Sequence, residues 1–343
     1  MDQVRWAVIG AGGIARRRTI PEGILSAPSA ELVAVYDPVD CAAIAKQFNT
    51  RACVSEQELL AQEIDAVYIA TPTHLHFEQF SRAVAERRHV LCEKPLGLDV
   101  AEAAQMVAIA DAAGVKLATG LMMRFSSQHK AAVDLVRSGQ LGKPSFGRAQ
   151  LSCWYPPMAG AWRQDPELGG GGSLADMGSH CIDLLEMFFG RTTKVMAMTG
   201  HLVHDYASED TATAILSFAD GAFGVVDCLF NVPDASCRNR LEIYGSQGSI
   251  LAEGTIGQDP AGQMTLIAEQ QTGGYDAAQQ RGATAGQAIA PEPVNLYRAQ
   301  IEAFSQAILT DTLPPVSGHD GAWNVRVLQA CYESVRSGSA VDL

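Results

Sequence analysis

The chain has 343 residues and a formal net charge of -13, with 47% hydrophobic and 18% charged residues. This length exceeds what one hydrophobic core usually serves, so we expect two domains. The composition is typical of a globular protein and excludes a disordered chain. The negative charge disfavours binding to nucleic acid or to an anionic membrane, because both depend on clustered lysine and arginine.

Cysteine spacing and the amino-terminal residues indicate the compartment. The 8 cysteines include no CxxC pair, so they predict neither a zinc ribbon nor a disulfide framework. Residues 1–10 run directly into a strand pattern without a basic leader, and no stretch approaches the ~18 apolar residues of a membrane span. We therefore expect reduced thiols and a cytoplasmic protein.

The first third of the chain alternates short apolar runs with helical stretches, which is typical of parallel βαβ units. Predicted strands lie at 5–9, 31–36, 66–70, 89–92 and 116–119, and predicted helices at 14–27 and 100–113. Their apolar runs are those expected of strands covered on both faces. A parallel α/β domain is therefore predicted over residues 1–123.

From residue 124 the pattern changes to mostly antiparallel material. After a predicted helix at 128–138, strand-like runs lie at 145–152, 194–203, 211–218, 222–230 and 240–244. Turn sequences at 219–221 and 245–248 predict hairpins within one open sheet. The segment 259–293 predicts a long loop or irregular strands, and helices at 296–309 and 322–336 close the chain. A second α/β domain is predicted over residues 124–343.

A glycine-rich turn of the form G-x-G-x-x-A follows the first predicted strand and opens a helix; it consists of Gly10, Ala11, Gly12, Gly13, Ile14 and Ala15. The glycines allow a tight turn and close approach of backbone N–H groups to a pyrophosphate, and the small last residue allows close helix packing. Asp37 ends the second strand near the ~20-residue offset at which an acid binds the adenosine ribose. Together these features predict a dinucleotide site, with a tight turn that binds no ligand as the alternative.

Asp37 also favours NAD over NADP, because a carboxylate there binds a 2'-hydroxyl and repels a 2'-phosphate. Pro38 follows it, where an arginine would accommodate the phosphate. The basic run at 16–18 is either a solvated helical turn or a phosphate contact that reduces this preference.

Lys94 lies in Glu93-Lys94-Pro95 at the end of a predicted parallel strand. Ligands of open α/β sheets bind at this carboxyl edge. An ammonium placed there can stabilise the charge that develops on an alkoxide. For a lone lysine, a surface position after a strand is the alternative.

A glycine run and Ser173 precede a predicted helix at 174–189, where Ser173 and Asp176 fit a capping box. Asp176 and His180 are four residues apart and share a helical face that Asp183 can join. A neutral imidazole on that face can accept a hydroxyl proton. Capping by Asp176 and core packing of His180 are the alternatives.

Three further residues are candidates for binding substrate. Trp162 and Arg163 lie just before the glycine run and suit a sugar ring and its hydroxyls, with packing at a sheet edge as the alternative. Arg124 reaches substrate or cofactor, or it forms a salt bridge between the domains. We expect no metal, because hydride transfer needs none if Lys94 stabilises charge. A metal held by the acids and histidine of the 174–189 helix is the alternative.

Four segments together closely resemble the Gfo/Idh/MocA family of oxidoreductases: the glycine-rich turn, 70–76, 93–95 and 176–183. The resemblance covers nearly the whole chain. It implies an N-terminal Rossmann domain with a doubly wound parallel sheet, and a C-terminal α/β domain with a large open sheet. It also implies NAD(P)-dependent hydride transfer at a hydroxyl-bearing carbon of a sugar or cyclitol, and a homodimer or homotetramer.

The resemblance also implies roles for individual residues. Lys94 and His180 share charge stabilisation and proton transfer in an undecided order, and Asp176 orients substrate or Lys94. The segment that contributes to the cofactor site contains Thr71, Pro72, Thr73 and His76, with Glu93 and Lys94 from the later motif. Thr73 stands where many members have asparagine. A regulator of the same fold that senses dinucleotide or sugar without turnover is the alternative function, and a tightly bound NADP recycled between two sugars is disfavoured.

Overall fold

The structure, a computed structural model, describes residues 3–259, 261–268, 277 and 285–343. Its first sheet consists of β1 (Val4–Ile9), β2 (Ala30–Tyr36), β3 (Arg51–Ala52), β4 (Ala66–Ile69), β5 (His89–Cys92) and β6 (Leu117–Thr119). Neighbouring strands all run parallel, in the order β3-β2-β1-β4-β5-β6. This is the Rossmann order, and it confirms the predicted parallel sheet.

Helices cover this sheet and bury an apolar core against each face. They comprise a first helix at Ala15–Ile24, then α1 (Cys41–Phe48), α2 (Glu56–Leu60), α3 (His76–Ala85) and α4 (Val100–Ala113). The first helix is shorter than the predicted 14–27 and winds with π-type turns around Pro21, which has no N–H to donate. α4 begins where the Asp99 carboxylate accepts the Glu102 N–H at 2.8 Å, and it ends at Gly114.

Within the part of the chain that the structure describes, the second sheet has nine strands. They are β7 (Pro144–Ser152), β8 (Thr192–Gly200), β9 (Thr211–Phe218), β10 (Phe223–Leu229), β11 (Arg240–Gly245), β12 (Gly248–Glu253), β13 (Gln263–Ala268), β14 (Gln287–Ala288) and β15 (Val341–Asp342). Their order is β14-β13-β12-β11-β7-β10-β9-β8-β15, and only β7 and β10 pair in parallel. The predicted turns at 219–221 and 245–248 join antiparallel neighbours, which confirms the hairpins.

The segment 259–293 is predicted to form a long loop or irregular strands, and its described residues include two strands. β13 pairs along its whole length with β12, a strand that the sequence analysis did not predict. β14 adds a short edge strand. Only Met264 and Leu266 of β13 are buried, so the alternation of apolar and polar residues is too short to indicate a strand, and Ile267 and Ala268 interrupt it. Residues 260, 269–276 and 278–284 of the predicted segment lie outside the described part of the chain.

The second half also contributes helices: α5 (Ser127–Arg137), α6 (Pro166–Gly169), α7 (Ser179–Phe189), α8 (Leu296–Leu309) and α9 (Gly318–Ser337). α9 begins four residues before the predicted 322, because Ser317 and Asp320 form a capping box that the sequence analysis missed. Of the described helices, none is long and apolar enough to cross a membrane.

α8 returns to the first sheet. The indole Nε1 of Trp6 donates to Ser305 Oγ at 3.1 Å, and Phe304 packs with its ring centroid 5.6 Å from that of Trp6. Ile301 and Phe304 therefore belong to the same apolar core as β1. The division at residue 124 stays a prediction, and this helix of the second half packs on the first half.

Candidate active site

The glycine-rich turn lies between β1 and the helix at Ala15–Ile24, beside the point where the order of the sheet reverses. Gly10 has φ +78, and a Cβ there would lie 2.6 Å from Thr71 Cγ2, so only glycine fits. Ala15 is fully buried against the sheet, whereas a Cβ on Gly13 would meet nothing within 4 Å. The backbone of the turn therefore faces open space at the carboxyl edge of the sheet, where sheets of this kind bind ligands.

Asp37 is bonded to this turn. Its Oδ2 accepts the Gly12 N–H at 2.8 Å, and its Oδ1 accepts the Val39 N–H at 3.0 Å. These contacts hold the carboxylate at the end of β2, next to the turn. The structure thus brings together the residues that the sequence predicted for the adenosine end of a dinucleotide.

Two of the three arginines after the turn already pair with acids. Arg16 contacts Asp40 Oδ2 at 3.0 Å, and Arg18 contacts Glu22 and Asp259 at 2.7 Å each. Arg17 is exposed. The pairing of Arg16 and Arg18 favours a structural role for both over a phosphate contact.

His76 braces two loops at the carboxyl edge of the sheet. Its Nδ1 lies 3.0 Å from the Pro95 carbonyl oxygen, and its Nε2 lies 3.0 Å from that of Thr71. Burial lowers the pKa of His76 to about 4, so the ring is neutral. Pro72 begins the helical turn Thr73–Leu75, and Thr73 Oγ1 is buried with no partner among the described residues.

Glu93 follows β5, and its carboxylate contacts a neighbouring strand. Tyr68 donates its hydroxyl to Glu93 Oε1 at 2.5 Å and accepts a hydrogen bond from Thr19 at 3.0 Å. Burial raises the pKa of Glu93. The sequence analysis missed Tyr68, because nothing local to a buried strand residue indicates that it contacts this acid.

The Lys94 ammonium contacts Asp176 twice. Nζ donates to the carboxylate Oδ1 at 2.7 Å and to the backbone carbonyl at 2.6 Å. Lys94 is 9% exposed, and its peptide bond to Pro95 is cis. The contact joins residues 82 positions apart, so the folded chain unites two motifs that the sequence could only place separately.

Arg163 completes this group, since its Nε donates to the same Asp176 oxygen at 2.9 Å. Burial alone would raise the pKa of Asp176, but Arg163 and Lys94 outweigh burial and hold it well below its ordinary range. The guanidinium carbon lies 4.0 Å from the ring centroid of Trp162, in a cation–π contact. Trp162 and Arg163 are therefore next to the predicted catalytic residues.

His180 lies one helical turn beyond Asp176 and is 6% exposed. Burial, reinforced by the positive charge of Lys94, lowers the pKa of His180 to about 3, so the imidazole is neutral near pH 7. Its Nδ1 is buried without a partner among the described residues. A neutral ring beside an ammonium can accept a proton.

The predicted cap of this helix is wrong. Ser173 has helical dihedral angles and makes no capping bond. Instead the Glu209 carboxylate accepts the N–H groups of Gly172 and Leu174 at 2.9 Å each. The first turn, Leu174–Gly178, is π-type and continues into α7. The sequence around Gly172 gives no indication of this contact, because Glu209 lies 37 residues away in the chain.

Asp183 does not join Asp176 and His180, so that expectation is wrong. It pairs instead with Arg124, whose Nε donates to its carboxylate oxygens at 2.9 and 3.0 Å. Burial raises the pKa of Asp183 to about 6 despite the guanidinium. Arg124 also contacts Asp320 at 3.2 Å and lines a cavity of about 1310 Å³ whose lining does not include Lys94. The structure therefore does not bring Arg124 to Lys94, and its substrate role stays a prediction.

Comparison with known proteins identifies the family. A model for a GFO/IDH/MocA C-terminal domain matches residues 129–251, and one for an oxidoreductase family with an NAD-binding Rossmann fold matches residues 4–121. The chain belongs to the Gfo/Idh/MocA family of oxidoreductases. Both the sequence resemblance and the predicted fold class are confirmed.

Named members of the Gfo/Idh/MocA family match over nearly the full length. The chain is 30% identical to D-xylose 1-dehydrogenase (NADP(+)) 2 of Haloferax volcanii, over 98% of this chain and 99% of that protein. It is 28% identical to 1,5-anhydro-D-fructose reductase of Ensifer adhaerens, over 99% and 98%. A crystal structure of aldose-aldose oxidoreductase from Caulobacter crescentus complexed with glycerol has a TM-score of 0.85 and 26% identity, covering 99% of this chain and 100% of that one.

The residues of this Gfo/Idh/MocA chain fit a dinucleotide. Open space faces Gly13, the Asp37 carboxylate lies at the glycine turn, and Thr73 Oγ1, which has no partner among the described residues, lies in the helical turn just before His76. These groups extend along the carboxyl edge from β2 to Lys94. Within the described residues, no three His, Cys, Asp or Glu side chains are grouped to hold a metal ion.

Proposed function

We propose that the protein transfers hydride between NAD and a hydroxyl-bearing carbon of a sugar or cyclitol. The observation that carries this proposal is the contact of the buried Lys94 ammonium with Asp176, beside the neutral His180, at the carboxyl edge of a dinucleotide-binding sheet. The relatives named as a xylose dehydrogenase and an anhydrofructose reductase support a sugar as substrate.

Lys94 holds the reacting oxygen. An ammonium has three N–H donors, and the Asp176 carboxylate and carbonyl accept two of them. The third is left for the substrate oxygen, where it stabilises the negative charge that develops as the C–H bond breaks. Asp176 stays ionised because of Lys94 and Arg163, so it keeps the ammonium charged and oriented.

His180 takes the hydroxyl proton during oxidation and returns it during reduction. Its low pKa keeps the ring neutral, so a nitrogen lone pair is available for the proton, and it also makes the ring a weak base that holds the proton only transiently. The glycine turn and Asp37 would hold a nicotinamide dinucleotide whose chemistry, when bound, would be hydride exchange, so the substrate would lose or gain one hydride and one proton in each turnover. Arg163 and the partly exposed face of Trp162 hold the sugar ring next to these groups.

We infer NAD as the preferred cofactor. The Asp37 carboxylate lies at the glycine turn, and the nearby Arg16 guanidinium is paired with Asp40. A 2'-phosphate would be repelled by the Asp37 carboxylate. The Arg16 guanidinium could balance the phosphate charge only by leaving Asp40. The relative from Haloferax volcanii is named for NADP, so the inference of NAD rests on Asp37 and not on that relative.

We also propose a homodimer or homotetramer, located in the cytoplasm. Large apolar side chains lie exposed on the outer face of the second sheet, including Met196, Met198, Ile215 and Phe223 at 48%, 76%, 50% and 54% exposure. Exposed apolar side chains grouped in this way often mark an interface. All eight cysteines are unpaired, which fits a reducing compartment, and neither a nucleic acid nor a membrane is needed as partner.

The test is a panel of sugars and cyclitols assayed with NAD and with NADP, following absorbance of the reduced nicotinamide. We expect turnover with at least one sugar, a strongly reduced but measurable turnover in Lys94→Ala and His180→Ala, and retained dinucleotide binding in both variants. Tight dinucleotide binding without turnover across the panel would instead favour the regulator.

A further inference from the structure

The Glu209 carboxylate is buried at the start of the active-site helix, where three donors converge on it. It accepts the backbone N–H groups of Gly172 and Leu174 at 2.9 Å each, and the Tyr332 hydroxyl at 3.0 Å. Glu209 is 6% exposed. A buried carboxylate that binds two N–H groups of a helix start makes strong, charge-assisted hydrogen bonds.

The backbone around Glu209 is tied to the same turn. The Glu209 carbonyl accepts the Ser173 N–H at 3.0 Å, and a Cβ on Gly172 would lie 2.0 Å from that carbonyl oxygen. Only glycine permits so close an approach. The side chain and the main chain of Glu209 therefore fix the position of the Leu174–Gly178 turn together.

This turn carries the group that holds Lys94. The Lys94 ammonium donates to the backbone carbonyl of Asp176 as well as to its carboxylate. Ser179 Oγ donates to the same carbonyl at 2.9 Å. Because a main-chain atom is one of its two acceptors, the ammonium moves whenever the backbone of the turn moves.

We propose that Glu209 is a positioning residue for the Lys94 ammonium, acting through the Leu174–Gly178 turn and Asp176. It touches neither substrate nor cofactor in this role. Its kinetic consequence rests on the proposed function, whereas its effect on the turn does not. Displacing a catalytic group by about 1 Å costs on the order of 100-fold in rate, so the kinetic effect is measurable.

The test variant is Glu209→Gln, which keeps the shape of the side chain but has one acceptor oxygen for two backbone N–H groups. The matched control is Glu186→Gln, near the other end of the same helix. Glu186 is 8% exposed and accepts the Thr192 N–H at 2.9 Å, the Trp323 Nε1–H at 2.8 Å and an Arg191 guanidinium N–H at 3.3 Å. Its contacts are similar in number and burial, but they do not include the Leu174–Gly178 turn.

Two measurements need no substrate. Hydrogen exchange of a peptide spanning 172–178, and acetylation of Lys94 followed by mass spectrometry, both report the position of the turn. We expect both to be faster in Glu209→Gln and unchanged in Glu186→Gln. Unchanged exchange and acetylation in Glu209→Gln would overturn the proposal even if the protein turned over no sugar.

Turnover supplies the third measurement. We expect Glu209→Gln to lower kcat about 10- to 100-fold with the KM for the dinucleotide unchanged, and Glu186→Gln to retain kcat. In a Lys94→Ala background the same substitution should change the residual rate less than about threefold, because its effect passes through Lys94. A further fall of about 10- to 100-fold in kcat in that background would show that Glu209 does not act through Lys94, and it would overturn the proposal.

Discussion

Replacing Asp176 by asparagine tests the electrostatic arrangement of the site. Asp176 lies between two cations, with Lys94 Nζ at 2.7 Å and Arg163 Nε at 2.9 Å from one oxygen. The variant keeps the shape but leaves both cations without their shared anion. Breaking a fully buried pair costs about 3–5 kcal/mol.

The expected loss is smaller than that limit because the site is partly hydrated. The Asp176 and Arg163 side chains are 16% and 31% exposed. We therefore expect a loss of about 2–3 kcal/mol in the free energy of unfolding, or about 3–6 °C in the thermal midpoint. The matched control is Asp311→Asn, which removes an ion pair with Lys116 at 2.9 Å from an acid that is 97% exposed. We expect no measurable change there.

The pH dependence gives the same prediction an independent check. The folded pKa of Asp176 is depressed, so its stabilisation is complete above the unfolded value of about 3.9 and is lost as pH falls through the folded value. The midpoint difference between wild type and Asp176→Asn should be constant from about pH 5 to 8 and shrink below about pH 4. Equal midpoints at pH 7 would refute the proposed arrangement of charges.

Three further substitutions test other parts of the account. Asp37→Ala should weaken NADH binding about tenfold and narrow the ratio of NADH to NADPH affinity in a fluorescence titration, since the carboxylate contact is lost; an unchanged ratio would contradict the assigned role. Because the pKa of His180 is about 3, the pH profile of kcat should show no His180 titration near 6.5; an inflection there that disappears in His180→Gln would oppose this. Arg124→Gln should lower the thermal midpoint by breaking the pairs with Asp183 and Asp320 while leaving the KM for the sugar within about twofold. A large rise in the KM for the sugar without a change in the thermal midpoint would instead support a substrate-binding role for Arg124.

The features that the sequence predicted correctly depend on local patterns. The parallel strands were recognisable from uninterrupted apolar runs, and the glycine turn with Asp37 has a fixed spacing along one βαβ unit. The hairpins at 219–221 and 245–248 were recognisable from their turn residues. In each case the residues that determine the structure lie close together in the chain.

The features that were missed depend on contacts between distant residues. Ser173 and Asp176 satisfied the local rule for a helix cap, yet the Glu209 carboxylate, 37 residues from Gly172, takes that place. Asp183 shared a predicted face with His180, but Arg124 pairs with it from 59 residues away. A local pattern shows which groups are available, and tertiary packing decides which of them meet.

The central claim is that Lys94 stabilises charge on the reacting oxygen. The most direct measurement is kcat for Lys94→Met, which keeps an apolar stem without the ammonium, at saturating sugar and NAD. We expect kcat to fall about 100- to 1000-fold, as for loss of one preorganised donor, while NADH binding is retained. Added ethylamine should restore part of the rate. A kcat within about threefold of wild type would contradict the claim.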